Sequence, residues 1–368
     1  MTDAELRRRR LAHQKLAGAG LRSPAEVVRW LGAVQAQDYR GALWGIAQRT
    51  RGAVSEADVE RAIAERALVR SWPMRGTLHL VAAEDLRWML RHLAARTRRG
   101  MQGRLRQMGL EEAHFARAGE ILRRALEGGG QLTRAEIYQA LAGGGLSTDG
   151  FRGIHIICTL AVDGLLCLGP HRGKQATFTL LEEWLPPAAI PARDEALAEL
   201  ARRYLQSHGP ATAADFAWWA GLGLGDARAA IERAGLAGQG GWAGAGRARS
   251  GRAAASVHLL PPYDEYTVAY KDRSAIAQPA LPDAVRGGVF APVVVVDGKV
   301  AGIWRRRPTR RALAISVELV VPVAAAHQRA VIAAAERLGR FVGLPVELAV
   351  KQRGRRARAG SARPARRP

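Results

Sequence analysis

Near the N-terminus apolar side chains recur three or four positions apart, then two apart, the change of period that marks helices giving way to strands. Asp3 to Ala17 reads as a helix with Leu6, Leu11 and Leu16 set among arginines. Ser23-Pro24-Ala25-Glu26 is a helix start, with Ser as N-cap, Pro in the first helical position and Glu three residues after the cap. That helix should run to about Ala33. Ser55 caps another, in which Val59 and Ile63 share a face. The segments LVRSW and TLHLVA then read as strands around a Pro-Met-Arg-Gly turn.

The same plan recurs twice. From Glu111 a helix carries Phe115, Ile121, Leu122 and Leu126 and stops at Gly128-Gly129-Gly130. Thr133 and Glu136 spell a capping box, Ser147 or Thr148 starts the helix GFRGIHIICTLAVDG, and LLCLG pairs with ATFTLL across PHRGKQ. A third copy begins at Asp194 with EALAELARRYLQSHG, a Thr212-capped ADFAWWAG and LGDARAAIERAG, its strands expected around Arg247 to Leu260. Three helices and a hairpin make the winged-helix plan. The pattern therefore predicts three such units, over 1–105, 106–190 and 191–255.

Past that point the chain turns β-branched, through VHLLPPYDEYTVAY, FAPVVVVDGKVAGIWRRR and ALAISVELVVPV. Val293 to Trp304 is a hairpin turning at Asp297-Gly298, a type I′ pair. With AAAHQRAVIAAAERLGRFVG as a closing helix, residues 256–350 are expected to form a small sheet or a β-barrel-like unit. Residues 351–368 are expected to be a basic disordered tail. The fold class is α+β.

Charge changes the picture. Lys plus Arg number 56 against 33 Asp plus Glu, a net +23, and a field of that sign draws in polyanions. Only five of the basic residues are Lys, so with the abundant Ala and Gly the Arg usage also fits a GC-rich coding sequence. On charge alone a nucleic acid is the expected partner, with an anionic membrane or a merely solubilising charge as the alternatives. Cys158 and Cys167 lie in apolar surroundings and read as buried thiols of a reducing compartment. No Cys/His spacing suits zinc, and there is no P-loop or nucleophile elbow, so no metal and no cofactor are expected. No apolar run reaches the roughly 18 residues of a membrane-spanning helix, and MTDAELRRRR lacks the apolar stretch of a secretory signal. The expectation is a cytoplasmic, nucleoid-associated monomer.

Three segments could carry chemistry. In VQAQDY, Gln35 and Gln37 flank Ala36, and on extended backbone both amides face one way. A pair of this kind also commonly does no more than bond backbone at a helix end. In Arg70 to Leu90, Arg75 sits in a turn with Gly76 where a phosphate can approach, and His79 lies on a strand between Leu78 and Leu80, a place where His is usually structural. In Leu259 to Arg273, Asp264, Glu265 and Asp272 stand among three tyrosines, equally compatible with acid–base work and with salt-bridged packing.

VQAQDY, R-x-W-P-M-R-G-T-L-H, Y-D-E-Y-x-x-x-Y-K-D-R and V-D-G-K-x-x-G-x-W follow one another in this order. Together they resemble the winged-helix DNA-binding family that contains the DNA glycosylases AlkZ and YcaQ, over about Leu11 to Val350. The resemblance implies three tandem winged helices plus a β-barrel arranged as a C-shaped DNA clamp. It implies catalysis by Gln-aliphatic-Gln, here Gln35-Ala36-Gln37, as in the AlkZ-like branch. Asp38 comes one residue too late to be the carboxylate of the YcaQ-like motif. Members of that branch often protect producers of DNA-alkylating natural products.

Two neutral amides suffice only for an activated leaving group. Alkylation at guanine N7 or adenine N3 puts a positive charge on the base, so positioning water and stabilising developing charge is enough. The expected activity is monofunctional excision of such bases by water attack at the sugar C1′, including unhooking of interstrand crosslinks. Gln37 would hold the water and Gln35 orient water or sugar. Arg75, His79, Lys299, Arg305 and Arg306 are the expected DNA contacts, and Asp264 a possible accessory group. The competing reading is a non-catalytic DNA-binding regulator or lesion shield, since fold alone does not fix function.

Overall fold

The computed structural model describes residues 1–236, 255–281 and 290–352. Many helix starts follow the capping residues, but the helix expected to start at Ser147 or Thr148 begins only at Arg152, after Phe151 and without a side-chain cap. Thr2 caps α1 (Asp3–His13), Ser23 caps α2 (Pro24–Leu31), and Ser55 forms a capping box with Asp58 on α4 (Glu56–Ala64). Between the last two lie a two-residue strand, β1 (Val34–Gln35), and α3 (Tyr39–Ala47), which the apolar pattern does not announce. Asp38 is the N-cap of α3, its carboxylate accepting from the Gly41 N–H, which accounts for its place after the glutamines.

Strands β2 (Leu68–Met74) and β3 (Thr77–Ala82) form the expected hairpin. The 25-residue α5 (Ala83–Gln107) follows without a break, longer than the sequence pattern conveys because its second half is almost all polar. Then come α6 (Glu112–Leu126), β4 (Leu132–Thr133), α7 (Arg134–Gly143), α8 (Arg152–Val162), β5 (Leu166–Leu168), β6 (Thr177–Leu180) and the short α9 (Leu181–Trp184). The two hairpins do not form separate sheets. They join edge to edge in one six-stranded sheet, β1-β3-β2-β5-β6-β4, through the pair Arg70↔Leu168. All seven residues of β2, near the middle of this sheet, are buried.

The third helical group is α10 (Arg193–His208), α11 (Ala213–Ala220) and α12 (Leu224–Arg233), with Thr212 and Asp215 making the capping box on α11. It has no hairpin of its own among the described residues. The part of its expected strand region within 237–254 lies outside them, and β7 (Val257–Leu260) pairs with β8 (Val293–Val296) instead. The second sheet runs β11-β10-β9-β8-β7, adding β9 (Lys299–Pro308), β10 (Leu313–Leu319) and β11 (Val346–Gln352). The expected barrel is corrected here: among the described residues the sheet is open. The physical reason is the closing helix α14 (Ala325–Val342), which carries the chain back so that β11 lies parallel to β10, at the edge opposite β7. Strand β11 also takes in Lys351 and Gln352, while 353–368 of the expected tail lie outside the described residues. The fold is α+β.

One apolar core joins α5 to α12 with the first sheet; a second joins α2 to α4 with the second sheet and α14. Between the two halves runs a buried ion pair. Arg49, just past α3, holds both carboxylate oxygens of Asp264, at 2.8 and 2.7 Å, and the Gln14 side chain at 3.0 Å. Asp264 also caps α13 (Glu265–Val268), accepting from the Tyr266 N–H. Removing one partner of a buried pair strands the other charge. Asp264→Ala should cost about 3–5 kcal/mol in urea unfolding, and a loss below about 1 kcal/mol would show that the pair does not hold the halves together.

Candidate active site

Strand β1 sets the geometry. It lies antiparallel to β3, with Val34 opposite Leu80 and Gln35 opposite His79, and the Ala36 N–H extends the ladder with a 2.7 Å bond to the Leu78 carbonyl. The Ala36 side chain is fully buried in the second core, so its neighbours Gln35 and Gln37 both project away from that core. Arg70 on β2 locks the strap from the other side, donating from Nε and Nη2 to the Ala36 carbonyl at 3.1 and 2.7 Å. Every polar backbone atom of Ala36 is thereby occupied, and the two amides stand on a fixed base.

They differ in exposure. Gln35 is 8% exposed, whereas Gln37 is open to solvent. The Gln35 Oε1 accepts from Arg75 Nη2 at 3.2 Å, and the same nitrogen lies 3.1 Å from His79 Nε2. The Gln37 Oε1 accepts from the Leu78 N–H at 3.3 Å. Behind the strap, the Gln35 N–H donates to Glu265 Oε1 at 2.8 Å. Trp219 Nε1 donates to Glu265 Oε2 at 2.9 Å, and His208 Nε2 stands 3.5 Å from that oxygen.

Protonation states follow from these contacts. Burial alone would raise Glu265, but the His208 ring, the Gln35 N–H and the Arg75 charge hold it down at about 2. Burial and the neighbouring Arg75 push His79 down to about 3. At neutral pH the site thus offers a buried carboxylate, a neutral imidazole and two amides, with the Asp38 carboxylate next to Gln37 engaged in capping α3.

The sequence candidates separate into groups. Gln35, Gln37, Arg75 and His79 come together. His79 is expected on a DNA-facing surface, and that placement is corrected: the ring is fully buried and touches Arg75 and the Thr77 carbonyl. Asp264 is tied up in the Arg49 pair; its neighbour Glu265 is the acid that meets the glutamine strap. The turn of the β8–β9 hairpin is packed down, since Asp297 bonds the Ser256 N–H and the His327 ring while the Gly298 carbonyl accepts from Tyr266 Oη. Of that turn only Asp297 and Lys299 are exposed. Arg305 and Arg306 stand at the far end of β9, where the turn into β10 adds Arg307, Arg310 and Arg311 in an exposed cluster.

That cluster adjoins the glutamine strap. Arg305 and Arg306 line a depression of about 290 Å³ with Asp38, Gly41, Trp44 and Trp304. Burial lowers the Arg306 pKa, with Glu56 and Asp38 acting against it. From the other side His171, in the β5–β6 turn, packs at a tilt against Tyr39, with ring centroids 3.9 Å apart. Sequence reasoning missed Arg70 and His171 because sheet pairing, not chain proximity, assembles them, and it gave no role to Tyr39 although that residue closes the VQAQDY segment. Glu265 stood in plain view beside Asp264, and only the short turn of α13 decides which of the two faces Gln35. Among the described residues no group of three or more His, Cys, Asp or Glu is placed to hold a metal ion.

A family model described as DNA glycosylase AlkZ-like matches residues 28–341, which span the strap and most of both sheets. The chain belongs to the AlkZ-like DNA glycosylase family. An interstrand DNA cross-link repair glycosylase from Streptomyces sahachiroi is similar, 28% identical over 315 residues, covering 77% of this chain and 82% of that protein. The solved structure of the S. sahachiroi DNA glycosylase AlkZ superposes with a TM-score of 0.74 at 26% identity, covering 95% of this chain and all of that one. No helix among the described residues is long and apolar enough to cross a membrane.

The buried groups of this AlkZ-like chain make its stability pH-dependent. His79 has a folded pKa of about 3 against 6.5, so below pH 6.5 the unfolded chain binds a proton that the native chain refuses. Glu265, at about 2 against 4.5, adds stability present above pH 4.5 and lost as pH falls toward 2. The melting temperature should fall continuously as pH drops below 6.5, and one that stays level down to pH 4.5 would contradict the assigned protonation states.

Proposed function

We propose that this enzyme excises cationic N-alkylated purines, N7-alkylguanine and N3-alkyladenine, from double-stranded DNA, with Gln35 and Gln37 as its catalytic residues. The observation that carries the reading is the strap itself: an exposed carboxamide beside a buried, hydrogen-bonded one, with the two nearest carboxylates engaged by backbone N–H groups, Asp38 by Gly41 and Glu265 by Gln35. A carboxamide oxygen has two lone pairs. Leu78 uses one on Gln37, and the other faces the solvent side, where it can accept from a water molecule.

Reaction follows the charge. The C1′–N bond breaks with its electrons passing to the cationic base, which leaves neutral. Water held by Gln37 bonds to C1′, and its proton passes to solvent. Neither amide takes a proton near pH 7, so the activation must come from the lesion. The enzyme is monofunctional on this reading, leaving an abasic site and forming no covalent intermediate. Because Gln37 is exposed and not sunk in a pocket, the base need not leave the stack, in contrast to base-flipping enzymes. A guanine tied to the opposite strand can therefore be reached, and interstrand crosslinks belong to the proposed substrates, in keeping with the cross-link repair activity for which the S. sahachiroi relative is named.

The rest of the proposal concerns binding. The division into winged-helix units over 1–105, 106–190 and 191–255, with a β-rich unit over 256–350, acting together as a C-shaped monomeric clamp, is kept as part of this reading. Lys299, Arg305 and Arg306 are its phosphate contacts. Each phosphate-neutralising cation releases about 0.9 counterions from duplex DNA. Arg305→Ala should accordingly lower the slope of log affinity against log salt by about one, and an unchanged slope would remove Arg305 from the interface.

The test of the chemistry is a duplex carrying one N7-methyl-deoxyguanosine, incubated with enzyme and then treated with hot alkali. The wild type should break the strand at the lesion, and Gln35→Ala and Gln37→Ala should leave it whole over the same incubation, with only a slow residual excision, while still binding. Duplexes with uncharged uracil or hypoxanthine should survive. Rapid excision of either would defeat the neutral-amide mechanism, and binding without excision of the methylated base would leave a DNA-binding protein.

A further inference from the structure

The two amides are not equivalent, and the difference is fixed by groups behind them. His79 Nδ1 lies 2.8 Å from the Thr77 carbonyl, which can only accept, so Nδ1 carries the ring hydrogen and Nε2 presents a lone pair. Arg75 Nη2 has two N–H groups, and its two recorded partners are that lone pair at 3.1 Å and Gln35 Oε1 at 3.2 Å. A guanidinium has no acceptor to offer an amide NH2, so only the oxygen of Gln35 can face it. The donor edge of Gln35 is turned the other way.

Arg75 is itself held in place. Its backbone lies in the left-handed region, φ 57°, followed by Gly76 at φ 68°, the two central residues of the β2–β3 turn. Gly221, at the end of α11, packs so close that a side chain there would stand 3.0 Å from Arg75 Cγ. The arginine is thus pressed between a strained turn and a helix end.

We propose that Arg75 is a positioning residue that turns the Gln35 carboxamide so that its NH2 is the donor and Gln37 the acceptor of the reacting water, with His79 and the Thr77 carbonyl fixing Arg75. This rests on the glycosylase reading of the glutamine pair. It assigns Arg75 to the glutamine and not to a DNA phosphate, and it divides the labour: Gln37 accepts from the water, and Gln35 donates to the water oxygen or to the sugar.

The test uses the full chain on the N7-methyl-deoxyguanosine duplex under single-turnover conditions with enzyme in excess. Arg75→Met should slow excision by about a hundredfold, the scale of a misplaced catalytic group, with duplex affinity changed by less than about twofold. In a Gln35→Ala background the same substitution should cost nothing further, because the group it positions is gone. Arg75→Lys, which keeps one donor, should lose less, and its loss should also vanish in that background. If Arg75→Met does not fold, the Lys pair of variants decides alone.

An equal loss with and without Gln35 overturns the proposal, as does a loss that appears in affinity with a shallower salt dependence, the mark of a phosphate contact. If the wild type leaves the methylated base in place, the glycosylase reading itself fails and this role falls with it. A wild type that excises while the two losses add refutes only the positioning role.

Discussion

A carboxylate taken wholly out of water must be surrounded by donors, and Glu265 is 1% exposed. Its oxygens are met by the Gln35 N–H from β1 and by the Trp219 indole from α11, with the His208 ring of α10 beside them. Three segments far apart in sequence must therefore converge on α13 before that charge is tolerable. The convergence is what pins a two-residue strand to the edge of a sheet. Without it β1 would have only a few ladder bonds, too few to hold two amides in a set direction.

Helix starts were legible because capping is local chemistry. Ser23, Ser55, Thr133 and Thr212 each act as N-caps where their sequence context says they should. The β2–β3, β5–β6 and β8–β9 hairpins were legible from alternation and turn residues for the same reason. Associations between distant segments were not. Nothing in LLCLG says that it will lie against LVRSW, and nothing in PVELAVK distinguishes a parallel edge strand from the end of a closed barrel.

The functional segment was legible to a similar depth. The shared direction of the two amides followed from the strand period once extended backbone was assumed; the residue types Gln-Ala-Gln do not themselves announce a strand. The assignment of Asp264 could not be made from sequence. Asp264 and Glu265 are adjacent acids of the same charge, and a short helical turn sends one to Arg49 and the other to the strap. His79 shows the same limit, since alternation places it on a face but does not say what covers that face.

The seam at Arg70↔Leu168 has a mechanical consequence. Strand β2 has neighbours on both edges and is buried along its whole length, so it cannot slide without breaking ladder bonds on one side or the other. The two hairpins are joined through the Arg70↔Leu168 pair into one sheet, with Arg70 at the seam and the tilted His171–Tyr39 contact nearby. On the proposed reading, a duplex that fits such a sheet poorly would itself have to deform, and easily deformed steps would yield first.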